Sequence, residues 1–229
     1  MLELEIKQKF EMFTVNLEKL NEEYNHFTYL PQYHIDLSQL LIDQLNPNIF
    51  EGLTKLESLN LSGNLLTEID PDVFKFVPNL KELNLGFNNF KTIRSDLFNY
   101  LPKLEVINLW DLGLDSVNRR VFSNLSYLKE INLSQNNLKS LDESLFDGLI
   151  NLEVINLNLN QITRLDANVF QGLASLKRIN LRRNKIKSLD KNIFRNLLNL
   201  ELIDLRSNQI SSIDENIFKG LSNDLIIIF

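Results

Sequence analysis

The chain has no cysteine among its 229 residues, so it can form neither a disulfide nor a thiolate metal site. Its two histidines, His26 and His34, stand eight apart, which does not suggest a ligand pair. With so little histidine and no cysteine, a nucleophilic triad has almost nothing to be built from. Glycine totals 7, and no Gly-rich phosphate loop occurs. No apolar run approaches the ~18 residues that would suit a membrane-crossing helix. An excess of base is also missing: the formal net charge is −6, and nucleic acid is therefore not an expected partner. The opening Met1-Leu2-Glu3-Leu4-Glu5-Ile6-Lys7 alternates charge with apolar residues and does not resemble a signal peptide. No motif supports catalysis, and no cofactor or metal is expected.

What is abundant is order of one kind. Phe50, Phe74, Phe98, Phe122, Phe146, Phe170, Phe194 and Phe218 follow one another at intervals of 24 residues. A strict period of this size means a stack of one repeated unit, and it moves the search for function from a pocket to a long exposed surface. Leu176-Lys177-Arg178-Ile179-Asn180-Leu181-Arg182-Arg183-Asn184-Lys185-Ile186 is one such unit, with apolar residues at positions 1, 4, 6 and 11 and Asn at position 9. Eight units begin at Gln32, Leu56, Leu80, Leu104, Leu128, Leu152, Leu176 and Leu200.

This pattern resembles the leucine-rich repeat. The Phe at position 19 and the Leu at position 22 resemble its 24-residue subtype, common in animal extracellular proteins and receptor ectodomains. The resemblance covers residues 32–223. It implies an α/β solenoid: a curved horseshoe with a parallel β-sheet on the concave side and short helical or 3₁₀ turns on the convex side.

The residues lead to the same architecture. Positions 4 and 6 share one face of a short strand, and each return path is long enough for a parallel crossover. Position 15 carries Asn46, Asp70, Asn118, Asp142, Asp166, Asp190 and Asp214, with Arg94 the exception. Asn and Asp accept from the free N–H groups that open a helical turn, and Pro47 and Pro71 follow where Pro suits the first helical position. The position-9 column (Asn64, Asn88, Asn136, Asn160, Asn184, Asn208) offers amides that, in this family, bond backbone groups of adjacent units. Leu40 and Leu112 interrupt it, so the turns there are expected to be altered. One unit cannot bury its apolar face alone, and stability must come from stacking.

The two ends depart from the repeat. In residues 1–31, Leu2, Ile6, Phe10, Phe13, Leu17, Leu20, Tyr24 and Phe27 are spaced by three and four. That predicts an amphipathic N-terminal helix capping the first repeat, with a coiled-coil dimerisation segment as the alternative. Residues 224–229 read as the start of a ninth, truncated repeat, offset by one residue and with no polar cap after it. A bare apolar edge is an aggregation hazard, so the expectation is a fragment or an end covered by a partner. Self-association through this end is the structural alternative to ligand binding.

The outward face of the sheet holds the remaining signal. Position 5 is a column of Asn, with Asp36 and Asp204 at its ends, and reads as structural, able to hydrogen-bond along the stack as an amide ladder. Positions 7 and 8 vary. Phe87 and Trp110, in adjacent units, place large aromatics where there is no core to fill, and Trp110 is the only Trp. Trp and Arg are enriched at binding hot spots. Phe87 folding over the rim, and Trp110 covering the altered Leu112 turn, are the structural alternatives. Charge is polarised along the face. Units one to four hold Asp36, Glu57, Glu82, Glu105 and Asp111 against Lys81; units five to eight hold Lys129, Lys177, Arg178, Arg182, Arg183 and Arg206 against Glu130, Glu153, Glu201 and Asp204. Such a gradient would orient a dipolar partner.

The function expected is a non-enzymatic scaffold that recognises a protein or peptide on its concave face. Its contacts would be Phe87, Trp110, Asp111, Leu159, Arg178, Arg182, Arg183 and Arg206, with the arginines taking acidic groups. Three Asn-x-Ser sequons, at Asn60, Asn124 and Asn132, could be glycosylated in a secreted chain. The subtype points outside the cell, while the missing cysteines and signal sequence point inside or to truncation.

Overall fold

The computed structural model describes residues 33–229. The expected N-terminal helix falls on residues 1–31 and lies outside the described residues.

Each unit contributes a three-residue strand: β1 (His34–Asp36), β2 (Ser58–Asn60), β3 (Glu82–Asn84), β4 (Val106–Asn108), β5 (Glu130–Asn132), β6 (Val154–Asn156), β7 (Arg178–Asn180), β8 (Leu202–Asp204) and β9 (Ile226–Ile228). They form one nine-stranded parallel sheet in sequence order. The register follows the repeat: Leu59 pairs with Leu83, Leu83 with Ile107, and Ile203 with Ile227. Because the repeat and the register share one period, the position-4 side chains of β2 to β8 are buried on the same side. β9 corrects one expectation. Leu202 pairs with Ile226, so the ninth strand keeps the common phase and is not shifted by one residue.

The core lies between the sheet and the convex turns. The position-1 and position-6 leucines meet the phenylalanine column there, and Phe98 through Phe218 stack at centroid distances of 5.9–6.5 Å. Among the described residues the convex side is mostly tight turns, with 3₁₀ segments only at Pro71–Phe76 and Glu215–Phe218. A return path this short leaves little room for a regular helix. Seven of the eight position-15 side chains cap: Asn46, Asp70, Asn118, Asp142, Asp166, Asp190 and Asp214 each accept from the N–H two residues on. Arg94 cannot accept, and instead its guanidinium grips Asp96 through Nε and Nη2.

The buried position-9 asparagines tie neighbouring units together. Asn136 accepts from the N–H groups of Leu112 and Leu114 and donates to the carbonyls of Leu109 and Leu133. These are backbone groups that would otherwise be buried unpaired. Leu112 has no amide to offer, and the turn beside it changes as expected. Elsewhere the position-10 N–H donates back to the preceding unit, as Asn137 does to Leu114. Here Lys91 donates forward to the Leu112 carbonyl at 3.2 Å, and Lys91 adopts a left-handed φ of 55°.

The position-5 column corrects another expectation. Its oxygens accept from the N–H two residues on within the same unit, as Asn60 does from Ser62 and Asn156 from Asn158, rather than linking units as an amide ladder. The column is structural, but it closes local turns.

Candidate ligand-binding face

Strand geometry sends positions 3, 5 and 7 to the concave face, and the backbone withdraws position 5 into its turns. Position 2 is largely withdrawn too. Glu57, Lys81, Glu105, Lys129, Glu153, Lys177 and Glu201 alternate in sign along the stack. Lys81 pairs with Glu57 at 2.9 Å, Lys129 with Glu105 at 2.6 Å and Lys177 with Glu153 at 2.7 Å. Positions 3, 7 and 8 therefore carry what individuality the face has.

Position 8 has a fixed backbone demand. From Gln39 to Ser207, this residue adopts φ between 51° and 68° in all eight units, although only Gly63 is glycine. Its N–H donates to the position-7 carbonyl of the next unit, which locks the chain as it leaves the sheet; Phe87 gives to Trp110 in this way at 2.8 Å. Phe87, Asp111, Leu159 and Arg183 are thus side chains mounted on a left-handed corner.

The same geometry brings two aromatics together. The Phe87 and Trp110 rings stack with centroids 5.7 Å apart and planes 11° from parallel. Phe87 is 58% exposed. The indole lies across Gly86, where a Cβ would fall inside the envelope of its Cδ1 and Nε1 atoms. Trp110 therefore lies over Gly86 of the neighbouring unit and stacks on Phe87. Asp111 follows Trp110 on the corner and is half-buried.

The arginines stand apart from this stack and are not equivalent. Arg206 is held by Asp204 through Nη2 at 2.6 Å and Nε at 3.0 Å. That bond keeps the Asp204 carboxyl below its ordinary range. Arg178 reaches Glu201 only at 3.9 Å. Arg183 is exposed. The Nε of Arg182 is buried without a hydrogen-bond partner, as is Oδ1 of Asn158 one unit earlier. Leu159 is half-buried in the sixth unit. The structure thus joins Phe87, Trp110 and Asp111 in units three and four, and leaves Leu159 and the arginines in units six to eight. The charge gradient is weaker than the sequence suggests, because most of the charges that build it are spent in local pairs.

No helix of the described residues is long and apolar enough to cross a membrane, and they hold no cluster of three or more candidate metal ligands. Two open, polar creases of about 360 and 470 Å³ lie on the convex side, between Ala167 and Asn196 and between Ser95 and Asp142.

A model of the BspA type leucine rich repeat region matches residues 91–224 in six copies, and a leucine rich repeat model matches 32–90 and 61–111. The chain belongs to the leucine-rich repeat family. Among solved structures, this leucine-rich repeat protein is similar to TLR13 in its complex with ssRNA13, with 34% identity, a TM-score of 0.80 and 85% of this chain covered. It is also similar to Drosophila Toll in the Toll–Spatzle complex, with 23% identity, a TM-score of 0.68 and 82% covered. A leucine-rich repeat protein of Leptospira interrogans aligns at 24% identity with a TM-score of 0.66 over 85% of this chain. The chain spans 28%, 29% and 53% of the lengths of these three. No curated protein matches it.

Glu82 and Glu130 enter the sequence pattern only as face charges, and Gly86 and Val106 are not among its candidate contacts. Gly86 had a signal: it is the only glycine in the position-7 column, directly before the only tryptophan in that column. The others are position-3 residues, and whether they stand free depends on which neighbours are already paired.

Proposed function

We propose that this leucine-rich repeat chain is a non-enzymatic recognition scaffold. It binds a protein or peptide on its concave sheet, centred on the Phe87–Trp110 stack. One observation carries this reading: apart from Leu40 in the first unit, departures from the repeat cluster in units three and four. The missing position-9 amide at Leu112, the missing cap at Arg94 and the Gly86–Trp110 exchange of volume all occur there. A chain otherwise consistent at every level tends to break its own rules at functional sites. The solved complexes of TLR13 with ssRNA13 and of Toll with Spatzle support a ligand-binding role for such a fold. Between RNA and protein, the net charge of −6 and the unpaired carboxylates near the stack favour protein. Arg182 and Arg183 receive acidic groups of the same partner, with Leu159 beside them. Arg206 and Arg178 contribute less, being engaged with Asp204 and Glu201.

Selection of binders from a random peptide library against the whole chain tests the reading. Selected peptides should lose at least about tenfold in affinity on Trp110→Ala, as hot-spot truncation does, and keep it on the convex variant Arg120→Ala. Peptides that ignore Trp110→Ala, with circular dichroism intact, would discard it.

A place outside the cell fits this reading. Asn124 is an exposed sequon with φ of 89° on a convex turn, whereas Asn60 and Asn132 are occupied in concave-face turns. Secretion from an animal cell should add an enzymatically removable glycan at Asn124; an unglycosylated secreted chain would count against it.

A further inference from the structure

The aromatic stack has a chemical neighbourhood that narrows what binds there; the argument rests on the concave-face reading above. Val106 opens β4 on its outward side, and Trp110 follows two residues after that strand ends. In the pairing register Val106 stands between Glu82 of β3 and Glu130 of β5. Both glutamates are exposed, and neither they nor Asp111 is in an ion pair, among the described residues. The nearest bases along the chain, Lys81 and Lys129, are already held by Glu57 and Glu105. Positions 3, 5, 7 and 8 of units two to five contain no Lys or Arg at all. This stretch of face is therefore an aromatic and aliphatic stripe bordered by three uncompensated carboxylates.

We infer that its occupant is an extended peptide segment with two basic side chains four residues apart. One lies over the Phe87–Trp110 stack beside Asp111; the other lies over Val106 between Glu82 and Glu130. Val106 and Trp110 are four residues apart, and the chain leaves the strand after Asn108, so they lie within the ~13 Å that residues i and i+4 of an extended ligand span on one face. Glu82 and Glu130 are two strand steps apart, roughly 10 Å between Cα atoms, so their long side chains can close on one ammonium or guanidinium from both sides. Indole is the strongest of the side-chain faces for a cation, and the Phe87 stack holds it in place. A phosphate backbone or an acidic segment meets three like charges here, with no base to receive it.

Trp110, as the only tryptophan, reports on the site directly. The probes are three: a ten-residue Ser/Gly peptide with two arginines four apart, the same peptide with glutamates, and a ten-nucleotide oligo(U). At low ionic strength the arginine peptide should saturate a change in Trp110 emission. Its affinity should fall at least about fivefold in Glu82→Gln/Glu130→Gln, and again in high salt, as complementary charge requires. The unliganded emission spectrum of that variant should match the parent, which shows that the stack is intact. Absence of saturation by the arginine peptide, unchanged affinity in the double variant, or equal binding of the glutamate peptide or oligo(U) would overturn the inference. If the glutamate peptide or oligo(U) is the one that saturates Trp110, the concave face remains the binding surface and only the basic ligand is wrong. If library-selected binders ignore Trp110→Ala, the binding surface itself is wrong.

Discussion

Trp110 occupies the space that a side chain on Gly86 would need. The two residues stand at the same position of adjacent units, so the indole can lie flat across the next strand and reach Phe87 only because that neighbour has no Cβ. Gly86 has no left-handed φ to explain it; its role is to leave room.

Gly86→Ala should therefore evict the indole without unfolding the stack of repeats. Trp110 is half-buried at the surface and can swing toward solvent. We expect a red shift and broader response of its emission to a neutral quencher, with a stability loss of about 1 kcal/mol as the stack with Phe87 is broken. An unmoved spectrum would contradict the geometry.

Asn136→Ala should be far more damaging than its small volume change suggests. Removing the amide strands the N–H groups of Leu112 and Leu114 and weakens the satisfaction of the Leu109 and Leu133 carbonyls. Buried polar groups left unpaired cost about 1–3 kcal/mol each, so a loss of roughly 2–4 kcal/mol is expected after relaxation. Urea unfolding measures it. The effect should exceed that of replacing the exposed neighbour Gln135.

The position-8 corner predicts a reciprocal pair. Gly63→Ala places a Cβ on a φ of 68°, 3.0 Å from Cγ of Gln39, and should destabilise by about 1–2 kcal/mol. Gln135→Gly, at a φ of 57°, should relieve the same backbone penalty, and its melting temperature should stay level or rise. A fall in both would show that the corner is not limited by backbone conformation.

Acid should loosen the coil in a definite window. Asp204 is held below the ordinary carboxylate value, first by the Arg206 hydrogen bond; Glu153 is held low first by Lys177, and Asp142 and Asp36 first by the hydroxyls of Ser144 and Ser38. A carboxylate whose folded value lies below its unfolded one contributes stability that is present above the unfolded value and lost as pH falls through the folded one. The melting temperature should thus hold against these groups down to about pH 4, the unfolded carboxylate range, and fall below it. Asp204→Asn should show a smaller fall between pH 4 and pH 2 than the parent.

The sequence by itself determined the solenoid. A hydrophobic pattern, an Asn column and a capping column repeated every 24 residues leave one way to bury every unit, by stacking in register, because each local choice agrees with its neighbours. Even the disturbed turn at Leu112 was legible, since a missing amide leaves backbone groups without their partner. Tertiary structure alone decided which outward residues remain available. Whether Lys81 or Glu82 is free depends on Glu57 one coil away; whether Arg206 can reach a ligand depends on Asp204; and the meaning of Gly86 depends on where the Trp110 ring comes to rest. Burial is written in the period of the chain, while the chemistry of its exposed face arises from contacts between side chains that the period brings side by side but does not pair.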